Sequence, residues 1–134
     1  GRMKIQSFEY TGEGMRRVYE NGQWTVGIKN YKPANDKSLF NELERHNETD
    51  ELFVLISGAC TLVYAEEMDG KMKFGAVSME MGKVYNIPQG LWHNTITVPG
   101  TRMVLIEDPG TGMSNSDIYH LGAGEAGELR SLIP

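Results

Sequence analysis

Two short stretches hold most of the side chains that could do chemistry. In the first, Glu44-x-His46 is followed by Glu51 and then Gly58. In the second, Gly82 precedes Pro88-x-Gly90, and His93 and Thr97 follow. On a strand, residues two apart face the same way, so Glu44 and His46 share a side. By the same rule Glu51, Phe53 and Leu55 share a face, as do His93, Thr95 and Thr97. Pro88-Gln89-Gly90 bends the chain just before His93, with Gly90 free of the Cβ that would resist it. If these stretches are neighbours, two imidazoles and two carboxylates converge, and such a mixed nitrogen and oxygen set suits a divalent ion.

The elements that would have to position these groups read as short strands. Residues 23–30 alternate, with Trp24, Val26 and Ile28 on one face, as a half-buried strand does. Residues 31–36 carry breakers, and residues 38–44 fit either a short helix or an irregular strand. Leu52 to Ile56 is a nearly continuous apolar run, typical of a buried strand. Strands are expected at 59–66 and 71–79, joined by Asp69-Gly70, a dipeptide that accepts positive φ. Further strands are expected at 84–87, 91–98 and 101–107, separated by Pro88-Gln89-Gly90 and Pro99-Gly100. This spacing of strands and turns predicts an all-β sandwich or barrel rather than alternating strands and helices. Residues 109–134 read as a polar, Gly-rich tail packed on the barrel, with a helical stretch near Glu125 to Leu132.

The totals agree with that reading. A chain of 134 residues, 40% hydrophobic, suits one domain over residues 1–134 with an ordinary core. The net charge of −5 and the scattered Lys and Arg argue against nucleic acid and against an anionic membrane surface. Cys60 is the single cysteine, so no internal disulfide is expected. It reads as an inert buried thiol. No apolar run reaches the length of a membrane span, and the N-terminus lacks a signal-peptide core. The chain therefore reads as cytoplasmic, with Met3 as its native start.

With both motifs in view, the sequence resembles the cupins. Their first motif has two histidines two apart, then a glutamate and a glycine; their second has Gly, Pro, Gly, a His and usually an Asn. Here His46 matches the second histidine, Glu51 the glutamate and Gly58 the glycine. Gly82, Pro88, Gly90 and His93 match the second motif without a gap. Glu44 stands where the first histidine would be, and Thr97 where the Asn would be. The resemblance spans residues 44–97. It implies an antiparallel jelly-roll β-barrel, the double-stranded β-helix. It also implies a metal site of His46, Glu51, His93 and Glu44, and pairing of two barrels through their N-terminal strands as a homodimer.

The ion could be zinc, iron, manganese or nickel. It could act as a Lewis acid on a carbonyl, or hold an activated water or dioxygen. Phe53, Tyr85 and Trp92 are the expected pocket wall. The expected function is a metal-dependent cupin acting on a small polar metabolite, such as a sugar derivative or a carbonyl or carboxylate compound. An isomerase, epimerase or dioxygenase fits that description. The alternative is a cupin that binds or senses a small ligand without turnover, and a third reading is a structural dimer with a vestigial site. Plainer readings stand beside these. Glu51 could be a buried carboxylate paired with Arg45 or Arg102, because a buried charge needs a partner. Glu44 could belong to the solvated face of its charged run. Glu107 divides evenly between pocket and surface, and His120 reads as exposed.

Overall fold

The computed structural model describes residues 4–134, so the expected start at Met3 lies outside the described residues. Ten strands carry the fold: β1 (Gly14–Glu20), β2 (Thr25–Asn30), β3 (Glu42–His46), β4 (Glu51–Ser57), β5 (Cys60–Met68), β6 (Lys71–Ser78), β7 (Val84–Ile87), β8 (Trp92–Thr97), β9 (Arg102–Glu107) and β10 (Ser116–His120). One helix, α1 (Ala123–Ser131), follows them. The strands form two antiparallel five-stranded sheets, β1-β2-β9-β4-β7 and β10-β3-β8-β5-β6. This is the jelly-roll arrangement, with strands distant in sequence lying side by side.

Alternation explains what each sheet buries. Between the sheets lie Phe53 and Leu55 of β4, Met103 and Leu105 of β9, Cys60 and Leu62 of β5, together with Met79 and Ile87. The outer face of the β10-β3-β8-β5-β6 sheet is apolar too. Leu43, Val63, Ala65, Trp92 and Ile96 point outward there, and Leu129 and Ile133 of the C-terminal segment cover them with Phe40. Each of those strands is thus buried on both faces, which is why Cys60 to Val63 reads as continuous burial.

Two turns show why particular residues stand where they do. Asp69 and Gly70 both have positive φ (52° and 76°), the pair of left-handed residues that closes a two-residue hairpin with the twist of its strands. Gly58 has φ of 75°, and a Cβ there would lie 2.5 Å from the Thr101 Cα. The β4–β5 turn therefore packs directly on the Thr101 backbone, while the Thr101 hydroxyl donates to the Ala59 carbonyl at 2.8 Å.

The structure adds three features that the sequence left open. The alternating face of residues 23–30 is turned outward: Thr25 and Gly27 are buried, and Trp24 is 44% exposed. An alternating strand fixes which residues share a side but not which side is the core, and here the polar side, Thr25, Gly27 and Lys29, faces inward. The tail supplies a full sheet strand, since β10 pairs with β3 from Ser116 opposite His46 to His120 opposite Glu42. Residues 14–20 form an edge strand whose sequence shows no alternation, because the register shifts between Arg17 and Tyr19.

Candidate metal centre

The site sits where the two motifs meet at one end of the space between the sheets. β3 ends on His46, and its register places Glu44 directly opposite His93 of β8. The bend at Gly90 is tied to the same place, because the Gly90 N–H donates to the His46 carbonyl at 2.8 Å. Glu51 arrives from the other sheet as the first residue of β4, with Glu107 of β9 as its cross-strand partner. Two carboxylates directly opposite on one face repel each other unless a cation or a proton relieves them.

The donor atoms are close. His93 Nε2 lies 3.3 Å from Glu51 Oε1, His46 Nε2 lies 3.4 Å from the same oxygen, and Glu44 Oε1 lies 3.5 Å from His46 Nε2. The two imidazoles are 5.4 Å apart, tilted by 60°. Around one ion, donors each about 2.1 Å from it stand about 3.0–3.4 Å from one another. The two distances to Glu51 fall within that range, and the one from Glu44 to His46 lies just beyond it. None of the contacts has the alignment of a hydrogen bond, and Glu51 Oε1, in a residue only 5% exposed, is left without a hydrogen-bond partner.

The far nitrogens fix the rings. His93 Nδ1 lies 3.0 Å from the Leu91 carbonyl oxygen. A carbonyl only accepts, so Nδ1 carries the hydrogen, and in the neutral ring Nε2 presents its lone pair to the site. His46 Nδ1 is held by the Ser116 hydroxyl at 2.9 Å, a contact that β10 provides. Orientation of a ligating imidazole through its other nitrogen is the usual second layer of a metal site.

The electrostatics follow from the crowding. Burial works against charge on Glu51, yet His46, His93 and Glu107 together hold its carboxyl far below the ordinary range. The His46 imidazole is raised, chiefly by Glu51 and against the opposing effect of burial. Burial, then the neighbouring Glu51, push Glu107 up to about 7, while Arg17 pulls the other way. A proton on an imidazole and a metal ion are thus alternative answers to the same buried negative charge.

Around these groups lies a cavity of about 370 Å³, the size of a small-molecule pocket. Phe53 lines it with Leu105, Thr95 and Ser116. Tyr85 and Trp92, expected on its wall, lie elsewhere. Tyr85 sits on edge strand β7 against the inner core, its hydroxyl accepting the Glu80 N–H. Trp92 is buried on the outward face of β8, under the Arg45 guanidinium at 4.4 Å and the Tyr119 ring at 5.8 Å. The alternation that turns His93 inward necessarily turns Trp92 away. Neither proposed ion-pair partner reaches Glu51: Arg45 pairs with Asp117 at 2.8 Å, and Arg102 bonds Asn30 and the Tyr10 carbonyl.

Glu107 is buried in the site, with His46 and Glu51 as a second group of potential ligands beside Glu44, His46 and His93. Arg17 and Lys29 also line the cavity and escaped the sequence reading. The signal for Lys29 was the polar side of β2, where Thr25, Gly27 and Lys29 alternate with the outward apolar residues; Arg17, on edge strand β1, carried none. His120 is exposed. Burial raises the Cys60 thiol to about 12, so it is no nucleophile. Ser116→Ala removes the hydroxyl that orients His46. Metal affinity should fall about 10-fold or more in a chelator competition, with thermal stability of the metal-free protein little changed. An unaltered affinity would show that Ser116 does not position the ring.

The sequence matches no family model, and no curated protein is significantly similar to it. Solved structures are similar in fold. A variant of Streptomyces PAC13, solved with uridine, has 12% identity and a TM-score of 0.58, covering 94% of this chain and 98% of that one. A variant of oxalate decarboxylase from Bacillus subtilis has 15% identity and a TM-score of 0.53; 80% of this chain is covered and 30% of that one. Hydroquinone 1,2-dioxygenase PnpCD, solved with Cd2+ and 4-hydroxybenzonitrile, has 13% identity and a TM-score of 0.53, over 70% of this chain and 63% of that one. At such identities the likeness is one of architecture. Two antiparallel five-stranded sheets, a His and Glu cluster between them compatible with a metal site, and these neighbours place the chain among proteins of the cupin fold.

Proposed function

We propose that this protein is a metal-dependent cupin that binds, and acts on, a small polar metabolite in the cavity between its sheets. One observation carries the metal: the buried Glu51 oxygen faces two imidazole nitrogens at 3.3 and 3.4 Å with no hydrogen bond to either. A buried carboxylate oxygen without a hydrogen bond, beside the His93 lone pair, is costly, and a divalent cation relieves it. His46, His93, Glu51 and Glu44 would hold the ion, with Ser116 and the Leu91 carbonyl fixing the rings. Bound there, the ion supplies a Lewis acid that polarises a ligand oxygen.

The other side chains favour a polar guest. The hydroxyls of Thr95 and Thr111 line the cavity, buried and without hydrogen-bond partners among the described residues. Phe53 and Leu105 give it an apolar floor. Glu107 offers a carboxyl able to take or give a proton near neutral pH. No helix among the described residues is long and apolar enough to cross a membrane.

The same reading includes a homodimer. Unlike the helix-covered sheet, the β1-β2-β9-β4-β7 sheet has an uncovered outer face. Val26, Ile106 and Leu52 lie in one row across it, and Ile28, Val104, Val54 and Val84 in the next. A contiguous apolar sheet face of this kind marks an interface. Light scattering should give twice the chain mass for the parent and a monomer for Val54→Glu, whereas a monomeric parent would contradict the pairing.

Metal content tests the central reading. Protein purified without a metal-affinity step should carry close to one zinc, iron, manganese or nickel per chain. The folded double variant His46→Ala, His93→Ala should carry none. Free metal at about 100 times its Kd should stabilise the parent by about 2.7 kcal/mol in thermal unfolding and leave the variant unchanged. A parent that stays empty after all four ions are offered would rule the metal site out.

A further inference from the structure

Lys29 is a charged group that the metal site does not account for. It projects from the inward side of β2 into the cavity, across from the imidazoles. Among the described residues it has no ion pair and no side-chain hydrogen bond. The other cation of the cavity is fully engaged: Arg17 bonds Glu107 at 3.2 Å, the Pro109 carbonyl at 3.2 Å and the Thr111 carbonyl.

The charges can be matched group by group. Arg17 is committed to Glu107 and two backbone carbonyls, and Glu44 with Glu51 would balance a divalent ion. Lys29 is then the one charge of the cavity without a partner. A positive group held partly out of water is unfavourable until an anion meets it, and burial does lower the Lys29 ammonium below its ordinary range. Glu51 and Glu44 favour its charge from a distance, but once their charge is committed to an ion that support weakens.

We propose that Lys29 is the specificity residue of this cavity and that the ligand is a hydroxylated monocarboxylate, its carboxylate on Lys29 and its hydroxyl or carbonyl oxygens toward the metal. The proposal rests on the metal reading above for the charge balance and for the second contact; that Lys29 lines the cavity with no ion pair does not depend on it. A monoanion completes the charge balance, whereas a neutral sugar would leave Lys29 unpaired and a dianion would overshoot. Thr95 and Thr111, with their unpartnered hydroxyls, would meet the ligand's remaining oxygens. Charge-assisted hydrogen bonds of this type are about twice as strong as neutral ones, enough for clear discrimination.

The test uses 3,4-dihydroxybutanoate and its neutral amide as probes, titrated calorimetrically into the metal-loaded parent, Lys29→Met and Lys29→Arg. Metal content and melting temperature are measured on each sample. The parent should bind the carboxylate at least 10-fold more tightly than the amide. Lys29→Met should lose that preference with its metal content unchanged, and Lys29→Arg should keep most of it. No binding of the carboxylate by the loaded parent, equal binding of the two probes, or a preference that survives in Lys29→Met would each overturn the assignment. If the parent takes up no metal, the metal reading fails on its own. The same comparison in metal-free protein then decides Lys29 separately: a Lys29-dependent preference supports the anion site, and its absence overturns it.

Discussion

A buried carboxylate with too little positive charge around it governs this structure. Glu51 sits 5% exposed, opposite a second carboxylate and against two imidazole nitrogens, with one oxygen free of any hydrogen bond. Isolated in a protein interior, such a charge would cost several kcal/mol or change its protonation. Here the surroundings keep it ionised: the neighbouring imidazoles and Glu107 outweigh the effect of burial. The fold holds negative charge in place and points nitrogen donors at it, which is the condition a cation-binding site needs before the cation arrives.

The rest of the architecture serves that arrangement. The donors come from both sheets, Glu44, His46 and His93 from one and Glu51 and Glu107 from the other. Only the packing of the sheets face to face brings them together, so the apolar cluster around Phe53, Leu62 and Leu105 is also what closes the site. The tail matters for the same reason. β10 pairs with β3 along its length and delivers Ser116 to His46, while α1 and the residues after it seal the outer face of the sheet that carries both histidines.

Much of this could be read from the sequence, and what could not has physical reasons. The motif spacing already singled out Glu44, His46, Glu51 and His93, because alternation puts Glu44 and His46 on one side of β3 and the Pro88-Gln89-Gly90 bend sets where β8 begins. That β4 of the other sheet faces them is a matter of sheet packing. The turns at Asp69-Gly70 and Gly58 were legible because few residues accept the backbone they require. The pocket wall was not. Trp92 looked suited to a cavity by type, but strand alternation places it opposite its neighbour His93. Arg17, Lys29 and Glu107 lie on strands far away in the chain, and only the sheet order β1-β2-β9-β4 makes them neighbours of Glu51. The outward turn of Val26 and Ile28 was hidden because an outward apolar face has the same alternating pattern as one turned to the core.

The most direct measurement is the X-ray absorption spectrum of the metal-loaded parent, read together with a crystal structure phased on the ion. Two imidazole nitrogens and carboxylate oxygens at about 2.0–2.2 Å, with the ion between His46, His93 and Glu51, is the expected result. An ion bound elsewhere on the chain, with the Glu51 and imidazole contacts left as they stand here, would contradict the claim that this buried charge is built for a metal.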